Sequence, residues 1–280
     1  MSRIAQRFAE FRRSSHRALI PYVTAGDPEV RITVPLMHAL VESGADILEL
    51  GVPFSDPMAD GPVIQRAAER ALKHNVSLTR VLAMVREFRA KDDRTPVVLM
   101  GYLNPIEVMG YACFAQSAAE AGVDGVLTVD LPPEEAEELK SALRGRGIDT
   151  VFLLAPTSSV ERIQLIAAAA SGFIYYVSLR GVTGASHLDL TEVAAKLVAI
   201  RAFTDLPVGV GFGIGTPEAA ARVAEIADAV IVGSAIVKRM EEFAGEPDKI
   251  LIELPKFLAQ LRAAMDQSTA APTSASGVRG

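Results

Sequence analysis

Residues 45–75, ADILELGVPFSDPMADGPVIQRAAERALKHN, contain one complete structural unit. Ala45–Gly51 is an apolar run of strand length, the segment after it is dense in Pro, Gly and Asp, and the stretch from Pro62 onward has helical periodicity with proline in its first turn. The same order recurs along the chain. Further strand-length runs are ALIPYVT (18–24), PVVLMG (96–101), DGVLTV (124–129), DTVFLL (149–154), FIYYVS (173–178), LPVGVGFG (206–213) and DAVIVGS (228–234). Between them lie helical patterns such as residues 30–44, 111–122, 134–147, 159–172 and 190–203. Continuously apolar strands alternating with helices imply parallel strands covered by helices, and eight such units imply an α/β fold closed into a (β/α)8 TIM barrel. An open, doubly wound sheet is the structural alternative. Gly44, Gly122, Gly147 and Gly172 each end a helical pattern just before a strand, where a left-handed residue is cheapest as glycine.

The 280 residues suit one large core, with 50% hydrophobic and 22% charged composition. An extra N-terminal helix is expected from Ile4, Phe8 and Phe11 among arginines, lying against the domain, and further peripheral helices follow the last unit. Residues 1–265 read as a single barrel domain and residues 266–280 as a disordered tail, since QSTAAPTSASGVRG lacks apolar content. A net charge of −6 argues against an extended nucleic-acid or anionic-membrane footprint. Cys113 is the sole cysteine and reads as helix core, so an intramolecular disulfide is excluded. No apolar run has signal-peptide character or membrane-spanning length, and a cytoplasmic location is expected.

In such a barrel, reactive groups gather where strands end. If Leu48 and Leu50 face the helices, Ile47 and Glu49 face the interior, with Glu49 at the catalytic mouth. An inward carboxylate on an apolar strand is costly unless paired, protonated or functional. Asp60 ends the loop that follows and offers a second carboxylate; Asp56, before a proline, reads as a turn residue. The mouth is lined by Tyr22, Thr24, Met100, Leu127, Val129, Tyr175 and Phe212, a largely apolar and aromatic set. A phosphate site is expected from three Gly-rich pieces: Gly211 and Gly213, Gly233 and Ser234 at the start of a helix, and Gly181, Thr183 and Gly184 in SLRGVTG. His16, His38, His74 and His187 are scattered, so no metal site is expected, and no lysine falls within a strand core to form a Schiff base.

PYVTAGDP (21–28), ELGVPFSDPMADGP (49–62), MGYLNPI (100–106), SLRGVTG (178–184), GFGI (211–214) and VGSAIV (232–237) together resemble the tryptophan synthase alpha chain family over about residues 2–265. The resemblance implies retro-aldol cleavage of indole-3-glycerol phosphate to indole and glyceraldehyde 3-phosphate, in a lyase of tryptophan biosynthesis. It implies Glu49 as acid/base at the indole carbon and glycerol hydroxyl, with Asp60 acting on the indole N–H. Tyr175 would lie in the substrate pocket and Thr183 in a closing loop, with Gly184, Gly213 and Ser234 on the phosphate. Asp56, Pro57, Asn104 and Pro105 would lie near a partner beta chain in an alpha2beta2 heterotetramer. No cofactor is expected on this chain, and pyridoxal phosphate is expected on the partner. Leu179 and Arg180 depart from the family's usual loop order, and Tyr22 stands where phenylalanine is common. Rival readings are another phosphate-binding barrel, such as an epimerase or an indole-glycerol-phosphate synthase, and a non-catalytic regulatory subunit.

Overall fold

A computed structural model describes residues 2–178, 190–211 and 213–270. Eight parallel strands close a barrel in chain order: β1 (Ala18–Thr24), β2 (Leu48–Gly51), β3 (Val97–Gly101), β4 (Gly125–Thr128), β5 (Asp149–Leu154), β6 (Ile174–Val177), β7 (Val208–Gly211) and β8 (Ala229–Val232). Pairing of β1 with β8, from Ala18 opposite Ala229 to Pro21 opposite Val232, removes both sheet edges and eliminates the open-sheet alternative.

Side-chain alternation sorts the core into two layers. Leu48, Leu50, Val97, Leu99, Phe152, Leu154, Ile174 and Tyr176 point outward to the helices, while Ile47, Val98, Val151, Phe173 and Tyr175 fill the interior. The surrounding helices include α2 (Val30–Glu42), α3 (Pro62–Leu72), α4 (Leu78–Arg89), α6 (Tyr111–Ala121), α7 (Glu137–Arg144), α8 (Val160–Ala169), α9 (Leu190–Arg201) and α10 (Pro217–Ala224). Left-handed φ values of 104°, 88°, 73° and 73° at Gly44, Gly122, Gly147 and Gly172 match the expected helix ends.

Helix α1 (Arg3–Ser14) does more than lie against the domain. Ile4, Phe8 and Phe11 belong to the interior cluster, so α1 plugs the N-terminal end of the barrel. Buried aspartates on the plugged side are fully partnered. Asp124 accepts from Arg3 (2.8 Å), Arg89 (2.5 Å) and the Val97 N–H (2.8 Å), and Asp46 accepts from the Leu19 N–H at 2.9 Å and from Arg262 at 3.2 Å.

Two expectations are corrected. Cys113 is exposed on α6, whose buried face is formed by Phe114, Ala115, Ala118 and Ala121. The final helix, α12 (Pro247–Ala270), continues through residues 266–270, which the composition assigns to a tail. Its last turn is held because the Ser268 hydroxyl bonds the Ala221 carbonyl of α10 and the Thr269 hydroxyl bonds the Met265 carbonyl. Residues 271–280 lie outside the described residues.

Candidate active site

The open mouth holds a cavity of about 420 Å3, lined by Tyr22, Met100, Val129 and Tyr175 with Glu49 and Asp60 among them. Glu49 projects inward from β2 as the alternation requires, and its Cα pairs with that of Tyr22 on β1. It is 1% exposed, and its Oε1 has no hydrogen-bond partner, in contrast to the arginine-paired aspartates at the other end. Burial first, and the charge of Asp60 second, push its carboxyl up to about 8. At neutral pH Glu49 is therefore mainly the neutral acid. No cation partners it among the described residues.

Asp60 arrives from the loop between β2 and α3. The loop is shaped by turns, with Met58 N–H donating to the Asp56 carbonyl (2.8 Å) and Asp60 N–H to the Pro57 carbonyl (3.1 Å). Gln65 on the first turn of α3 ties back to the Asp60 carbonyl at 2.9 Å. The Asp60 carboxylate accepts from the Tyr102 hydroxyl at 3.0 Å. Its pKa is raised by burial, and the Tyr102 hydrogen bond opposes that rise. Two carboxyl groups thus share one cavity in different surroundings, one unpartnered and strongly raised, the other hydrogen-bonded.

The tyrosines are neutral walls. Burial raises the Tyr22 and Tyr175 phenols well above their ordinary range, with Asp60 adding to the effect at Tyr22 and Glu49 adding to it at Tyr175. Tyr22 hydrogen-bonds Thr24 across 3.2 Å. Room for the rings comes from glycine: a Cβ at Gly51 would collide with Tyr22, and one at Gly211 with Tyr175. Gly211 is thus a packing glycine for Tyr175.

Of the expected phosphate residues, Gly213 (φ 75°), Gly233 and Ser234 line the cavity together. Ser234 begins helix α11 (Ser234–Glu242), whose first N–H groups have no partner within the helix. Leu127 faces inward as expected, fully buried in the interior cluster with Tyr175, and Val129, two residues later, lines the cavity. Leu179, Arg180, Gly181, Thr183, Gly184, His187 and Phe212 lie outside the described residues.

Asp56 is exposed and accepts from the adjacent Ser55 hydroxyl (2.5 Å), in keeping with a turn residue. Asn104 and Pro105 lie on α5 (Leu103–Met109), just after β3. Phe54 stacks on Tyr102 with ring centroids 5.1 Å apart, joining the Asp56–Pro57 loop to this segment. Met58 and Val108 on the two segments are 87% and 82% exposed.

Sequence reasoning missed two residues. Tyr102 stands between the end of β3 and α5, where strand alternation no longer assigns a face, and reaches Asp60 through its hydroxyl. Lys238 lines the cavity from α11, four residues after Ser234, and alternation of strands carries no signal for a helical residue. Among the described residues no cluster of three or more His, Cys, Asp or Glu is arranged to hold a metal, and no helix is long and apolar enough to cross a membrane.

Comparison with known proteins decides the family. The family model for the tryptophan synthase alpha chain matches residues 8–266. The chain belongs to the tryptophan synthase alpha chain family. It is 63% identical over 266 residues to the tryptophan synthase alpha chain of Thioalkalivibrio sulfidiphilus, covering 95% of this chain and 100% of the relative. With that of Nitrosococcus oceani it shares 60% identity, covering 95% and 98% of the two chains. The crystal structure of the alpha subunit from Legionella pneumophila str. Paris superposes with a TM-score of 0.89 at 48% identity, over 95% of this chain and 99% of that one. As an alpha chain of this family, the protein is a lyase of tryptophan biosynthesis built on a (β/α)8 barrel.

Proposed function

We propose that this chain cleaves indole-3-glycerol phosphate by acid–base catalysis with Glu49 and Asp60, and passes the indole to a beta chain. The observation that carries the reading is the buried, unpartnered Glu49 carboxyl sharing a largely apolar cavity with Asp60.

Breaking the bond between indole C3 and the glycerol chain requires the ring to accept the bonding electrons. Neutral Glu49 donates its proton to C3 while Asp60 takes the proton from the indole N–H, giving the indolenine tautomer. The Glu49 carboxylate left behind then takes the proton of the hydroxyl on the adjacent side-chain carbon. Its electrons form the aldehyde carbonyl of glyceraldehyde 3-phosphate, the C–C bond breaks, and the ring nitrogen recovers its proton from Asp60. Both carboxyl groups end as they began. The pKa of Glu49 near 8 suits a group that must both give and take a proton close to neutrality.

Tyr22, Met100 and Tyr175 supply the apolar wall for the indole ring, completed by Phe212 and Thr183. Gly213, Gly233 and Ser234, with Gly184 from the loop after β6, hold the phosphate through backbone N–H groups and the α11 dipole. Asp56, Pro57, Asn104 and Pro105 form part of the surface for the beta chain in an alpha2beta2 assembly; the Phe54–Tyr102 stack connects that surface to Asp60. The chain itself carries no cofactor, pyridoxal phosphate belonging to the beta chain, and the assembly is cytoplasmic.

The test is release of indole from indole-3-glycerol phosphate by the purified chain, with and without a beta chain. Release by wild type and a severe, incomplete loss in Asp60→Asn are expected, since the amide still accepts a hydrogen bond. Absence of release under both conditions would sink the proposal.

A further inference from the structure

Lys238 is the only cation among the described residues lining the cavity, whose other charged groups there, Glu49 and Asp60, are both acidic. It stands four residues after Ser234 on α11, so both lie on one helix face. Helical side chains lean toward the N-terminus, which directs the Lys238 stem back over the turn that begins at Gly233 and Ser234.

The other cations nearby are engaged. Arg66 and Arg70 pair with Glu241 at 2.6 and 3.0 Å, and Arg70 also pairs with the buried Asp27 at 2.6 Å. Arg239 lies 3.6 Å over the Phe257 ring and donates to the Ala235 carbonyl at 3.1 Å. Lys238 makes no hydrogen bond or ion pair among the described residues. A free ammonium therefore borders the glycine-rich end of an acidic cavity.

We infer that Lys238 is a specificity-determining residue that pairs with the substrate's phosphate dianion and selects phosphorylated over unphosphorylated indole-glycerol. The inference rests on the phosphorylated substrate proposed above. Neutral backbone N–H groups orient a phosphate, and a point charge adds attraction that discriminates a dianion from a neutral hydroxyl. An exposed lysine suits this role better than imine chemistry, which calls for a desolvated amine.

The experiment compares wild type, Lys238→Met and Lys238→Arg in cleavage of indole-3-glycerol phosphate and in inhibition by inorganic phosphate and by indole. Lys238→Met is expected to raise KM and the phosphate inhibition constant about tenfold, the size of one charge-assisted contact, with a smaller fall in kcat. Inhibition by indole stays at the wild-type value, and Lys238→Arg recovers most of the loss. Added salt weakens phosphate inhibition of wild type more than that of Lys238→Met. Wild-type phosphate inhibition in Lys238→Met overturns the inference even if wild type cleaves the substrate. Loss of phosphate inhibition in Lys238→Met, with no cleavage by wild type, upholds the phosphate contact and removes the proposed reaction instead. Borohydride trapping of Lys238 with glyceraldehyde 3-phosphate overturns the inference in favour of an imine-forming lysine.

Discussion

The hydroxyl of Tyr102 donates to the Asp60 carboxylate at 3.0 Å while accepting the Ala59 N–H at 2.9 Å, so one phenol fixes both the carboxylate and the backbone beside it. The Asp60 loop is thereby fastened to the end of β3, and through the Phe54–Tyr102 stack to the proposed partner surface. Tyr102 is a positioning residue for Asp60. Replacing it by phenylalanine removes a donor to a carboxylate, so the Asp60 pKa rises further and kcat/KM falls about tenfold, the cost of a hydrogen bond to a charged group. The acid limb of the pH–rate profile moves to higher pH. An unmoved limb would return Tyr102 to a packing role.

The pH dependence follows from the two raised carboxyls. Activity needs Asp60 ionised and Glu49 protonated, so kcat/KM is expected to fall as pH drops through the raised Asp60 pKa and to fall again as pH rises through about 8. A profile of kcat/KM against pH measures both limbs. An activity still climbing well above that value contradicts neutral Glu49 as the proton donor.

Stability carries the same signature with its own sign. The folded pKa of Glu49 lies above the ordinary value of 4.5, so its contribution is fully present below that value and is lost as pH rises toward about 8. Glu49→Gln, which never ionises, is expected to gain thermal stability over wild type at about pH 9 and to match it at about pH 4. Melting curves at the two pH values check this.

Gly51 and Gly211 are expected to resist substitution for reasons of space. A methyl at either collides with the Tyr22 or Tyr175 ring, and Gly51→Ala should cost about 1–3 kcal/mol of stability as overpacking, besides displacing the cavity wall. Pairing Gly51→Ala with Tyr22→Phe should recover part of the loss, because the phenol oxygen lies among the colliding atoms. Denaturant titration of the single and double variants measures it.

The barrel was legible in sequence because each strand repeats at period two inside a longer β–α period, and the inward position of Glu49 follows from Leu48 and Leu50 alone. The same rule reports which face a residue takes and says nothing of its depth along the barrel axis, so Leu127 and Val129 both read as inward while Val129 alone of the two borders the cavity. Lys238 was illegible because its place depends on how α11 sits over the mouth, a tertiary relation. The end of α12 was misjudged because hydroxyls of Ser268 and Thr269, polar by composition, satisfy carbonyls of the helix and of α10.

The central claim is that the Glu49 carboxyl transfers the protons in carbon–carbon cleavage. Single-turnover release of indole from indole-3-glycerol phosphate by Glu49→Gln, with folding verified by circular dichroism and inhibition by inorganic phosphate verified against wild type, tests it most directly. The expected result is intact folding and phosphate inhibition with indole release reduced by at least about a thousandfold, the scale on which general acid–base catalysis acts. Release at a rate near that of wild type would contradict the claim.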